Sequence, residues 1–229
     1  LELKDVTEVV RNSDFKVFKD AAQKGIVKTI NAKGCSEFSR KELDELTAFA
    51  NTFGAKGLAW VKITKEGWQS PIAKFLKQEE KDNIEKITNA EVGDLLLFTA
   101  DVPKTANTVL GRVRLNLAER LNIIPKDTFN FVWVTDFPLL EYNDEEKRFA
   151  AVHHPFTSPM DEDIEKMLSL NLSDPELFTV HRSLFTDIRA KAYDLVLNGS
   201  EIGGGSIRIH RQDVQSMIFG KLGISKDEA

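Results

Sequence analysis

Within ten residues, Glu201-Ile-Gly-Gly-Gly-Ser-Ile-Arg-Ile-His210 sets out a carboxylate, three consecutive glycines and an alternating Ser206, Arg208 and His210. Glycine inside a strand weakens it and packs nothing, so three in succession imply a backbone that bulges or admits a close neighbour. Just upstream, Tyr193-Asp-Leu-Val-Leu197 runs into Asn198-Gly199, a pair that tolerates the positive φ of a type I′ turn and so predicts a hairpin. That turn sets Leu197 opposite Ser200, Val196 opposite Glu201 and Asp194 opposite Gly203, which makes Asp194 and Glu201 diagonal neighbours on one sheet face. Two carboxylates that close repel unless a cation lies between them, and their oxygens suit Mg²⁺ bound together with phosphates. The plain alternative is two solvated acids on an open face.

Strict period two from Glu201 leaves Ser206 and Arg208 on the opposite side of the strand. A one-residue bulge within 203–205 reverses that parity and gathers Glu201, Ser206 and Arg208, and such a bulge is expected here. Arg208, held between Ile207 and Ile209, can make a bidentate bond to a carboxylate or phosphate; a surface ion pair is its ordinary alternative. A second dense segment, His153-His-Pro-Phe-Thr-Ser-Pro159, pairs two histidines before a proline-bounded turn. Adjacent residues on an extended chain point opposite ways, so at most one imidazole enters a given site. As a zinc motif the pair is weak, since no further His or Cys has suitable spacing. Contact with a small substrate and a loop histidine without a role both remain open.

The elements that must carry these groups read as α+β. In the first half, helices are expected over residues 14–24, 39–53, 79–87 and 102–121, and strands over 25–32, 57–64 and 94–100, with a buried edge at 73–76. Ser13 or Asp14 should cap the first helix and Ser39 the second. These alternate as a two-layer α/β unit. The turn-rich Asn122-Ile-Ile-Pro-Lys-Asp127 marks a boundary, giving domains 1–122 and 123–229. Beyond it, strands are expected at 129–135, 148–152, 193–197 and 206–210, with residues 160–186 an acidic, partly helical excursion. The 229 residues are 41% hydrophobic and carry a net charge of −5, enough for a real core and no general phosphate-binding surface. A single cysteine, Cys35, excludes an intrachain disulfide and points to an intracellular chain with an inert thiol. No apolar run is long enough to span a membrane, and the start has neither an initiating Met nor the order of a signal peptide.

Three segments, Phe131-Val-Trp-Val-Thr-Asp-Phe-Pro-Leu-Leu-Glu141, His153 to Pro159 and Ala192 to His210, together resemble the bacterial-type aspartyl-tRNA synthetase family of class II. The first half, with Phe15-Lys-Val-Phe18, Gly54-Ala-Lys-Gly-Leu-Ala-Trp60 and Pro71-Ile-Ala-Lys-Phe75, resembles that family's GAD insertion domain. The resemblance implies a GAD unit followed by part of an antiparallel catalytic sheet. It also implies a cytoplasmic ligase, a homodimer when intact, that uses ATP with Mg²⁺, aspartate and tRNA(Asp), with tRNA(Asn) an open second substrate. Carried over by position, Asp194 and Glu201 match acids near the metal, and Glu201 and Ser206 match ATP contacts. Arg208 matches the grip on the aspartate side chain, and His153 or His154 the histidine loop over the amino acid. Ser200 stands where the family usually has a larger residue, a matter of local packing. The family's motifs 1, 2 and 3 fall outside this sequence, so the chain alone is expected to be inactive. A second reading is a module that binds tRNA or a partner without chemistry, as in the amidotransferase subunit that shares the GAD domain; a non-catalytic paralogue is a third.

Overall fold

The computed structural model describes residues 1–143, 145–169 and 187–224. They divide into two compact units, Leu1–Lys126 and Asp127–Ala229. The first is built on an antiparallel sheet of five strands in the order β1-β2-β5-β3-β4, with β1 at Leu3–Asp5, β2 at Ile26–Ala32, β3 at Ala59–Thr64, β4 at Gly67–Gln69 and β5 at Leu95–Asp101. Central β5 is a continuous apolar run, Leu95-Leu-Leu-Phe98, in which every side chain is buried. Alternate residues therefore face opposite sides, and each side needs a cover.

Helices α3 (Arg40–Asn51) and α5 (Pro103–Arg120) supply one cover, packing Leu43, Leu46, Val109, Leu110, Val113 and Leu117 on Ile30, Leu95 and Leu97. On the other side, α1 (Thr7–Val10), α2 (Lys16–Lys24) and α4 (Gln78–Thr88) bring Val10, Phe18 and Ile84 onto Leu96, Phe98 and Val61. The unit thus has three layers, a correction to the two expected. Two further expectations give way. Residues 73–75 form a 3-10 turn rather than a strand edge, and α2 starts at Lys16 without a side-chain cap, because Ser13 Oγ instead accepts from the Phe15 N–H. Ser39 does cap α3, in a reciprocal box with Glu42.

The second unit has a three-stranded antiparallel sheet, β10-β9-β6, from β6 (Phe131–Val134), β9 (Ala192–Leu197) and β10 (Ser200–Ser206). Beside it stand the hairpin of β7 (Leu140–Asn143) with β8 (Arg148–Ala151) and two helices, α6 (Asp161–Ser169) and α7 (Gln212–Leu222). Its core joins Leu139, Leu140, Phe149, Ile164, Ile188, Val214, Ile218 and Phe219. Arg189 ties three pieces of this unit together: it makes a bidentate pair with Asp163 of α6, at 2.9 and 3.3 Å, and reaches Asp136 at 3.2 Å. Hydrogen bonding to that guanidinium holds the Asp163 carboxyl below its ordinary value and raises Arg189 in return. The expected excursion at 160–186 begins as α6; residues 170–186 lie outside the described ones.

Candidate functional site

The hairpin forms as its turn chemistry requires. Asn198 and Gly199 sit at φ 50° and 86°, and the Asn198 side chain pins the turn to the start of β6, accepting from the Asn130 N–H and donating to the Thr128 carbonyl. Ser200 pairs with Leu197 and Glu201 with Val196, after which the register shifts before Gly203 pairs with Leu195 and Gly204 with Asp194. The bulge falls at Ile202, ahead of the glycines, which themselves pair regularly. Asp194 accordingly faces Gly204, where the sequence reading put Gly203.

The consequence for the faces is direct. Glu201, Gly204 and Ser206 oppose Val196, Asp194 and Ala192, so Asp194, Glu201 and Ser206 share one side of the sheet. A methyl placed on Gly204 would lie 2.5 Å from Asp194 Oδ1, 3.1 Å from the Tyr193 carbonyl and 3.4 Å from Glu201 Oε1. Two carboxylates therefore converge over the bare backbone of Gly204, and that is what the second glycine of the run is for. The third has a different neighbour: on the opposite face the Tyr193 ring lies across Gly205, within 2.8 Å of where its methyl would be, and packs edge-on against Trp133 at 5.5 Å. Tyr193 carries no sequence signal beyond its place in an apolar run.

Past Ser206 the chain leaves β10, so the expected strand at 206–210 is reduced to a bridge between Arg208 and Thr157. That bridge brings the second dense segment in. The Ser158 N–H donates to the Ile207 carbonyl (2.8 Å), the Ile209 N–H to the Phe156 carbonyl (2.9 Å) and the Lys191 N–H to the Ser158 carbonyl (2.8 Å). Residues 156–158 thus run alongside both the arginine and the start of β9. Arg208 is exposed and, among the described residues, forms no ion pair, which leaves its guanidinium open to a ligand.

The two imidazoles do separate as adjacent residues should. His153 stands edge-on to Phe137 at 4.4 Å, whereas His154 lies over Phe156 and accepts the Phe156 N–H at Nδ1, 3.1 Å. With Nδ1 occupied as an acceptor, Nε2 is the nitrogen of His154 that can donate. Among the described residues neither imidazole bonds to Asp194, Glu201 or Arg208, and no group of three or more His, Cys, Asp or Glu is close enough to hold a metal alone. The acid pair can therefore hold a cation only with outside ligands such as phosphate oxygens. Cys35 is buried, and burial pushes its thiol up, away from reactivity.

The GAD domain family's sequence model matches residues 18–110, within the first unit. Over its whole length the chain is similar to part of several proteins named as aspartate–tRNA ligases. It is 58% identical to the aspartate–tRNA(Asp/Asn) ligase of Geotalea uraniireducens, covering all of this chain and 36% of that protein. It is 54% identical to the ligase of the same name from Thermodesulfovibrio yellowstonii, covering 38% of it, and 49% identical to the aspartate–tRNA ligase of Staphylococcus carnosus, covering 37%. The chain thus spans a little over a third of the curated relatives it matches.

Proposed function

We propose that this chain is the GAD unit and part of the catalytic sheet of an aspartate–tRNA ligase, which activates aspartate with ATP as aspartyl-adenylate, releasing pyrophosphate, and passes the aspartyl group to tRNA. The observation that carries this is the meeting of Asp194 and Glu201 over Gly204, with Ser206 on the same face and Arg208 two residues on.

In the first step an oxygen of the aspartate α-carboxylate attacks the α-phosphorus, the bond to the β-phosphate oxygen breaks, and pyrophosphate leaves. Asp194 and Glu201 would hold Mg²⁺ against the phosphates: both are hard oxygen donors, and the bare Gly204 leaves room beside them. The ion, when bound, would neutralise charge that builds on the phosphate oxygens. Ser206 offers a hydroxyl to the nucleotide. Arg208 grips the aspartate side-chain carboxylate in a fork that asparagine cannot match in charge. The histidine segment lies over the amino acid and excludes water, with Nε2 of His154 as a donor. No covalent intermediate with the chain is required; orientation and fixed charge do the work. The aspartyl group then moves to the terminal adenosine of tRNA(Asp), or also of tRNA(Asn). An intact dimer and a cytoplasmic location belong to the same proposal; the described residues contain no helix long and apolar enough to cross a membrane.

The test is a graft of this chain in place of its counterpart in the Geotalea ligase, assayed by aspartate-dependent ATP–pyrophosphate exchange. Exchange should persist, and Arg208→Lys, which loses the fork, should cost on the order of 100-fold in kcat/KM for aspartate. A graft without exchange, or one indifferent to Arg208, overturns the reading. A second reading concerns the first unit, where a cavity of about 420 Å³ opens among Phe15, Phe18, Phe98, Thr105 and Val109, with Lys56 and Asp101 beside it. This supports a binding role for the GAD unit, and a purely binding chain has no use for the acid pair or Arg208.

A further inference from the structure

We propose that Thr157 is a positioning residue for the nucleotide grip: its hydroxyl orients that of Ser206, and its backbone ties the histidine segment to Arg208. The inference rests on the reading above for the role of Ser206.

Thr157 is 2% exposed, and its Oγ1 donates to Ser206 Oγ at 3.4 Å. A hydroxyl has one proton and two lone pairs. With Thr157 engaging one lone pair, the Ser206 proton turns away from Thr157 and is free for an acceptor on the face it shares with Asp194 and Glu201. Without that contact the Ser206 rotor has no side-chain partner among the described residues, and its proton samples all three staggered positions. The backbone of Thr157 does two more things. Its N–H donates to the His154 carbonyl at 2.9 Å, closing the turn that begins at His154, and it bridges Arg208 in an antiparallel pair flanked by bonds at 2.8 and 2.9 Å. One buried residue thus touches the elements that bear three of the proposed ligand contacts. The backbone role survives substitution; the hydroxyl role does not, and that separates the two in a test.

The variants are Thr157→Val, which keeps shape and removes the hydroxyl, Thr157→Ser, which restores it, Ser206→Ala and the Thr157→Val/Ser206→Ala double. In the grafted ligase, Thr157→Val should raise KM for ATP about fivefold, as the loss of one neutral hydrogen bond would. KM for aspartate and kcat should stay within about twofold, Thr157→Ser should return KM to the parent value, and the double variant should be no worse than Ser206→Ala alone. In the 229-residue chain itself, Thr157→Val should shift the NMR signals of Ser206 while the Ile207 and Ile209 amides keep their protection. If Ser206→Ala raises KM for ATP and Thr157→Val does not, or if the two effects simply add, the positioning role is wrong. Should Ser206→Ala leave KM for ATP unchanged, the reading of Ser206 fails instead, and the proposal with it.

Discussion

Gly204 is the residue on which the geometry of the acid pair turns. A methyl there meets the Asp194 carboxylate and the Tyr193 carbonyl at once, and the carbonyl belongs to backbone and cannot swing aside. Gly204→Ala in the grafted ligase should push the two carboxylates apart and cost about a hundredfold in exchange rate, the scale of an ångström's misplacement of a reacting group. Gly205→Ala should cost much less, because its methyl meets the movable end of the Tyr193 ring. Equal losses at both positions, measured in the same assay, would show that the glycines serve strand flexibility and not clearance. The run of three glycines was legible as a place of close approach. Which neighbour each one admits was not, because a single residue of bulge at Ile202 decides which side every later side chain faces.

At the scale of elements, the start of β5 shows how a turn is locked onto the sheet. Asp94, its side chain 5% exposed, accepts from the Gly34 N–H, the Glu91 N–H and the Asn31 amide and pairs with Lys33 at 3.0 Å. Burial works against its charged form, yet these bonds outweigh it and hold the carboxyl below its ordinary value. A carboxyl with a depressed folded-state pKa contributes stability above the unfolded value of about 4 and loses it as pH falls through the folded one. Asp94→Asn should therefore destabilise the first unit by about 1–3 kcal/mol at neutral pH, with the gap to the parent closing below about pH 4. Denaturant melts at pH 7 and pH 3 would check this; a gap constant with pH would mean that the amide satisfies the same donors. Helices α3 and α5 are legible from their periods, and α3 from its Ser39 cap as well, whereas α1 and α7 carry no signal that the sequence analysis recognised and α2 lacks the cap expected of it. Residues 73–76 form a turn and not an edge, and Ala73-Lys-Phe-Leu76, three apolar letters around a lysine, is too short a pattern to distinguish the two.

For the molecule as a whole, the two units differ in how their strands are covered. In β5 five successive residues are buried, whereas β6 exposes Phe131, Val132 and Trp133 at 59%, 55% and 62%. Amide exchange should follow this difference, with β2 and β5 the slowest in the chain and β6 and β10 exchanging orders of magnitude sooner. Uniform protection across both units, measured by mass spectrometry on the 229-residue chain, would contradict it. The layer count belongs to this scale too. The unbroken apolar run of β5 demands burial on both faces, which two layers cannot give and which α1, α2 and α4 complete.

What the sequence determined by itself is the chemistry on offer and the turn that presents it. Asn198-Gly199 dictates a hairpin because positive φ is cheap there, and the carboxylates of Asp194 and Glu201 follow it onto one face. What only the tertiary structure decided is the company those groups keep. The position of the bulge, the pairing of Thr157 with Arg208 and the Tyr193 ring over Gly205 depend on contacts between segments distant in sequence. No local pattern encodes them, because each arises from how separately favourable elements share the same space.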